Sequence, residues 1–566
     1  MMQRKTLGDA GFALAFLVLL VLPALPAQGA AQHDSPPPPA AYALRNVTVH
    51  HADGRQQSGV NVVVRRGLIT AMGEGAEIPA DAMVLEGDSL FIYPGLVDAH
   101  GAVELSLPRG EGMAGAPSWD PPREAQGFAP HRLAADYLTA TGGSLKPQRS
   151  VGVVAAGVHP DGGMAPGQSA AVLLRPTTRT PKDLVMAPRV GLLFSFQGAR
   201  GVYPSSLFAV IAHFRQMFED ATRHSLIRSE YARDPRGMVI PPWDPDFEIL
   251  AEAASGRVPV FFLADDDEEI RRVLSLADEI GFRPIIVGGE EAWELASDLA
   301  SRDVPVLVSV AFPAPRVWKP EGSNAATARD SAEGGLAPAA AREKERLENA
   351  YSNAARLTEA GVRVALTSGG GGRDLRQGVR KAMEYGLSEG EALKATTTVP
   401  ASILGIPNVV TVQSGAAASF IVTDGPLFQE ETRIRYTFVE GEMEEGQPVR
   451  RAMAGEAPSV DISGTWSTVV NAQGMELSFV MSLRQEGSSF SGTMSSAETG
   501  EARVEGGVVS GSSLTFVIVF TMGTESMEMD TRATVEGDRM TGSGTSAMGS
   551  FTFSASRRPG AEGGVR

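Results

Sequence analysis

The chain has 566 residues, no cysteine, and 67 acidic against 50 basic residues, a formal net charge of −17 at neutral pH. That balance argues against nucleic acid and anionic membrane surfaces as partners, and the absence of cysteine removes disulfides, thiolate metal ligands and lipidation at a processed N-terminal cysteine. With 43% hydrophobic and 21% charged residues, the composition is that of an ordinary globular protein, long enough for one large domain and one or two smaller units.

In chain order, Arg4 and Lys5 precede an apolar run over residues 11–22 and a small-residue stretch up to Ala31, which reads as a secretory signal peptide over 1–31. The run is shorter than the ~20 residues a membrane-spanning helix needs. The mature chain is therefore expected to be exported, periplasmic or secreted, with no transmembrane segment; an uncleaved N-terminal anchor is the alternative. Four consecutive prolines from Pro36 mark a linker over 32–41. Short β-like runs follow at 44–49, 60–64 and 67–73. Strand-like segments at 151–158, 171–174, 189–194, 258–263, 284–287, 304–310 and 362–366 then alternate with helical periodicity at 207–224, 268–280, 292–300, 342–360 and 390–396. That alternation predicts a parallel sheet with helical crossovers. Two Gly/Pro-rich stretches, 109–130 and 312–340, interrupt it and read either as lids or as disordered insertions. After Pro458 the signal turns to short strands and frequent Gly turns, which predicts a small antiparallel barrel over 459–558.

The most informative phrase is Tyr93-Pro94-Gly95-Leu96-Val97-Asp98-Ala99-His100-Gly101-Ala102. It resembles the first barrel strand of the amidohydrolase superfamily, and within that superfamily the chain looks closest to the imidazolonepropionase-like hydrolases of non-peptide C–N bonds. The resemblance implies a (β/α)8 barrel over 93–405 beside a composite β-sandwich from 42–92 and 406–450, with a lipocalin-like all-β domain after it. In the family this strand ends His-x-His, because alternate residues face the same side and two imidazoles can grip one metal. Here the second position is Ala102. The family's other ligands end strands five, six and eight. The corresponding ends here are Leu263-Ala264-Asp265, Val287-Gly288-Gly289 and Leu366-Thr367-Ser368, with neither histidine nor the expected strand-eight aspartate. Only His100 remains of five positions, and catalytic zinc takes about three protein ligands.

Residues from which a site could have been rebuilt are Glu104, His159 and Asp265. Against this, Asp266-Asp267-Glu268-Glu269 reads as the cap of the following helix, and His159 as a loop hydrogen-bonding residue. Ser205 reads as the N-cap of the helix after it, with no histidine base evident nearby. At the strand-eight corner, Ser368, Gly369, Gly370 and Arg373 form a Gly-rich turn of the type that binds anions at a helix start; the alternative is a flexible loop capped by Asp374. Three functional readings follow. The first is an amidohydrolase-fold protein with a lost metal site that binds a small-molecule ligand or protein partner, with no resident cofactor. The second is an active hydrolase with a rebuilt or single-metal site, zinc being the expected ion. The third is a non-catalytic subunit that pairs with an active relative; oligomerisation fits all three.

Overall fold

The computed structural model describes residues 39–108, 117–199, 201–312, 337–371, 375–446, 460–472, 475–496, 500–522, 525–546 and 549–557, in two compact units, Met1–Gly446 and Gln447–Arg566. The expected signal peptide, residues 32–38 of the linker, parts of both Gly/Pro-rich stretches, and Arg373 with Asp374 lie outside the described residues.

The first unit opens with β1 (Ala41–His50), β2 (Gln56–Arg65), β3 (Leu68–Gly73), β4 (Ala82–Glu86) and β5 (Phe91–Pro94). The Val-rich run in β2 suits a pleated, half-buried surface. Three strands from the far end of the unit, β14 (Phe420–Thr423), β15 (Ile434–Val439) and β16 (Glu442–Glu445), complete the sheet through an antiparallel β5–β14 pair. Its core is Leu44, Val49, Val62, Ile92, Phe420 and Phe438, all fully buried. Residues 415–419 are held by the main chain: Ile69 N donates to Ala416 O at 2.9 Å and Ala418 N to Gly67 O at 2.8 Å.

The second sheet is the barrel: β6 (Leu96–Asp98), β7 (Val153–Val158), β8 (Gly167–Leu173), β9 (Val185–Ser195), β10 (Pro259–Ala264), β11 (Arg283–Gly288), β12 (Val306–Ser309) and β13 (Val364–Thr367), hydrogen-bonded in that order. Each strand sends a side chain into one interior cluster, including Val97, Ala155, Ala171, Leu193, Phe261, Ile285, Leu307 and Ala365. The ring is therefore a packed core and not a pore.

One strand departs from the expected all-parallel order. β8 runs antiparallel to both β7 and β9. The connection from β7 to β8 covers only residues 159–166, whereas a parallel crossover needs about a dozen or more. The chain must turn back, so the expected crossover helix is replaced by a hairpin.

The helices are α1 (Lys146–Ser150), α2 (Leu207–Arg233), α3 (Pro245–Ala254), α4 (Asp267–Ile280), α5 (Ala296–Ser301), α6 (Ala337–Glu359), α7 (Leu375–Glu384), α8 (Glu389–Thr396) and α9 (Thr398–Ile403). The cap of α2 is Ser206, not Ser205: its hydroxyl accepts from Ala209 N at 3.4 Å. α2 extends nine residues past its expected end, and beyond Ala221 none of its residues is buried. α4 begins as the acidic run predicts, with Asp266 accepting from Glu269 N at 2.7 Å. No helix among the described residues is long and apolar enough to cross a membrane.

The second unit is a closed barrel of eight antiparallel strands, β17 (Gly464–Ala472), β18 (Met475–Glu486), β19 (Ser489–Ser496), β20 (Gly500–Ser510), β21 (Ser513–Met522), β22 (Glu525–Glu536), β23 (Arg539–Ser546) and β24 (Gly549–Arg557), with β24 pairing back on β17. Its interior is filled by side chains such as Trp466, Leu514, Phe516 and Met540. The indole of Trp466 donates to Ile462 O at 2.9 Å, which satisfies the one polar group a buried tryptophan carries.

Candidate functional site at the barrel mouth

The C-terminal ends of the parallel strands define the mouth, where barrel enzymes carry their sites. His100, just past β6, is half-buried, and its imidazole meets that of His159 edge-on with centroids 4.9 Å apart. Burial holds the His100 pKa below its ordinary value. His159 follows β7. Its Nε2 lies 2.8 Å from Ala99 O and its Nδ1 2.7 Å from Ser169 Oγ. A carbonyl can only accept, so the proton sits on Nε2 and Nδ1 accepts from the serine hydroxyl. Desolvation, helped by the neighbouring His100, pushes the His159 pKa down to about 3, which leaves the ring neutral at physiological pH. Phe261 from β10 closes against it, with centroids 5.0 Å apart.

The turn after β13 then folds against His100. Gly369 and Gly370 have φ of +65° and +78°, a left-handed region that side chains disfavour. A Cβ at Gly369 would stand 2.5 Å from Ser309 Oγ, and one at Gly370 3.4 Å from His100 Nε2. Gly370 N donates to His100 O at 2.8 Å. The turn read from the sequence as an anion cradle thus lies over the histidine, with its Gly370 amide committed to protein; Arg373 of that reading lies outside the described residues.

The seam between β6 and β13 is held by a residue the sequence reading passed over. Asp98 is 4% exposed. Its Oδ1 accepts from Ser368 N at 3.1 Å and from His100 N at 3.2 Å. Desolvation raises its carboxyl to about 6 in spite of these bonds and of Ser368 beside it. Asp98 and Ser169 both act here through position: one stands inside the quoted motif, and the other in a segment with no strand signal before Ala171.

The remaining candidates do not join His100. Glu104 is exposed, and its backbone carbonyl accepts from Thr139 N at 3.1 Å. Asp265, solvent-accessible just past β10, lies over the end of β11, where a Cβ on Gly288 would stand 2.0 Å from its Oδ1. Desolvation and then Glu290, Glu269 and Asp266 raise its carboxyl to about 6. Leu263, on the lumen side of β10, is 37% exposed and offers no donor. A metal needs lone pairs that are free and convergent. Both nitrogens of His159 are engaged, His100 faces glycine backbone, and among the described residues no three His, Asp or Glu side chains group closely enough to hold an ion. These residues do not fit the divalent metal that the resemblance implies.

Beside Ser368 a cavity of about 380 Å³ opens, lined among others by Phe312, Tyr351, Gln377, Arg380, Lys381 and Glu384. Its size falls in the range of small-molecule pockets. The Lys381 ammonium stands 5.1 Å from the ring centre of Tyr351 and 2.7 Å from Glu384 Oε2.

Residues 310–468 match the model of the Amidohydrolase family. Among solved structures, an amidohydrolase from Thermotoga maritima MSB8 is 22% identical and superposes with a TM-score of 0.57 over 72% of this chain and 100% of its own. A triazine hydrolase from Arthobacter aurescens is 16% identical over 72% of this chain and 96% of its own, with a TM-score of 0.38. A beta-aspartyl dipeptidase from Fervidobacterium islandicum AW-1 is 14% identical over 72% and 97%, with a TM-score of 0.35. The first of these establishes likeness of fold; the other two scores are too low to add to it. No curated protein matches the sequence.

Proposed function

From the premise that this is an amidohydrolase-superfamily chain with the fold that goes with it, we propose that its metal site is lost and that the mouth now serves to bind a small-molecule ligand or a protein partner. Its ancestry among imidazolonepropionase-like hydrolases of non-peptide C–N bonds, and its export to the periplasm or beyond, belong to the same reading. The observation that carries it is the pair of bonds on His159, which consume both ring nitrogens, together with the Gly369–Gly370 backbone against His100. Without a metal ion, water keeps a pKa near 15.7 and not the ~7 that makes hydroxide available at neutral pH. The cavity beside Ser368, with its aromatic and cationic lining, supports the binding role.

A second reading keeps catalysis, and one observation favours it: Asp265, at the mouth, carries a carboxyl raised to about 6, the range a general acid or base uses. Elemental analysis of the dialysed full-length protein separates the two. Far less than one equivalent of zinc, manganese or iron, with background hydrolysis of amide, lactam and hydantoin panels, is expected. Stoichiometric metal that disappears in His100→Ala or Asp265→Ala would replace the first reading by the second.

A further inference from the structure

Residues 121–133 form a strap between the β7–β8 hairpin and the start of α3. Its hold on the hairpin is uncharged. Ala165 N donates to Gly127 O at 2.9 Å, Ala129 N to Ala165 O at 2.8 Å and Gln168 N to Arg132 O at 2.7 Å. The Gln168 amide adds bonds to Pro130 O and His131 O at 3.0 and 3.2 Å. Its hold on α3 is made of charges. Arg123 donates to both carboxylate oxygens of Asp244, the cap of α3, at 3.1 and 2.8 Å, and to Asp246 Oδ2 at 3.0 Å. Its guanidinium lies 4.5 Å from the ring centre of Phe247. Asp246 is only 5% exposed, and its Oδ1 stands 3.3 Å from His131 N and 2.6 Å from His131 Nδ1.

The charges of this cluster balance only when His131 carries a proton. Two carboxylates, one of them buried, share a single guanidinium. A neutral imidazole leaves one negative charge over, and a protonated one leaves none. The other groups facing the cluster do not alter that sum. Glu124 pairs with Arg132 at 3.0 Å, and His213 of α2 is kept neutral, burial and then Arg123 putting its pKa at about 4. We infer that the strap and the start of α3 form a pH-set latch, closed while His131 is protonated and loosened when it gives up its proton. The protonated ring makes a charge-assisted bond, roughly twice as strong as a neutral one. The bond to Asp246 raises the His131 pKa over the opposing pull of burial. Burial likewise opposes the Asp246 charge, yet His131 and then Arg123 keep that carboxyl below its ordinary value. Proton linkage gives the direction. The closed form binds the His131 proton more tightly, so its hold is complete below about pH 6.5 and declines as pH rises through the raised value. Gln168, on the strap's other edge, adjoins Ser169, so the latch backs that side of the mouth. This inference does not depend on the fate of the metal site.

The test is hydrogen exchange of the full-length chain from pH 6 to 9, read peptide by peptide as protection factors, which remove the intrinsic pH dependence of exchange. Protection over 121–133 and the first turn of α3 should fall as pH rises, by up to about tenfold per pH unit along the titration of one proton. Protection in α4 should stay level. His131→Gln keeps a donor that does not titrate, so its protection over the same segments should be level across the range and as low as that of the native protein at pH 9. Native protein alone can refute the inference: protection over 121–133 and the start of α3 that does not change between pH 6 and 9 would overturn it. A pH dependence of undiminished size in His131→Gln would overturn it as well.

Discussion

Replacing Asp98 by asparagine tests whether the barrel seam holds a charged or a protonated group. The buried carboxyl titrates at about 6 against an ordinary value near 3.9, so native protein binds its proton more tightly than unfolded protein does. Stability from this group is complete below pH ~4, declines as pH rises through ~6 and is level above that. At about 1.4 kcal/mol per pKa unit, the shift corresponds to roughly 3 kcal/mol lost across that window. Asparagine keeps an oxygen for Ser368 N and His100 N but does not titrate. Urea unfolding of the first unit's transition, followed in both proteins from pH 4 to 7.5, should therefore give a difference that changes by about 2.4 kcal/mol in favour of Asp98→Asn as pH rises, the remainder lying below pH 4. Alanine behaves differently. It leaves two buried N–H groups without a partner and should cost about 1–3 kcal/mol for each at every pH. A difference between wild type and Asp98→Asn that stays flat to within about 0.5 kcal/mol over the whole range would refute the reasoning.

Two further outcomes follow from the same structure. Gly369→Ala should destabilise the first unit by about 1–2 kcal/mol for its left-handed backbone alone, with more from the Cβ against Ser309 Oγ, read as a lowered urea midpoint; an unchanged midpoint would mean the turn does not sit on the mouth. The second unit should fold by itself. Residues 461–566 expressed alone should melt in one cooperative transition, since all eight strands pair within the unit, and a broad, non-cooperative melt would count against this.

What could be read from the sequence was whatever local pattern controls. The segment ending in His100 was legible because an apolar run and a polar end occur within ten residues. The α4 cap was legible because its acids sit next to the helix they start. The direction of β8 was not. Gly167–Leu173 is buried at every position, so it carries no alternation, and its small residues hid its first four positions. Only the length of the 159–166 connection betrayed the reversal. The full extent of α2 was missed because its second half lacks the apolar spacing that marks a packed helix. The role of Asp98 depends on a partner 270 residues away, beyond any local reading. That Ala102, Asp265 and Ser368 stand where the resemblance leads one to expect histidine or aspartate could be read directly. That His159 is bonded at both nitrogens required the fold.

Reversing β8 also changes where in the chain the mouth is encoded. On the other barrel strands, the residue that reaches the mouth lies at the strand's end or just past it. On β8 it comes near the start, and Ser169 is the third residue of its strand. The His159–Ser169 bond therefore spans only ten positions, within one hairpin, whereas the Asp98–Ser368 bond spans 270. One corner of the mouth is a local structure that its own hairpin can assemble. The corner beside it exists only once the two ends of the barrel sheet have met.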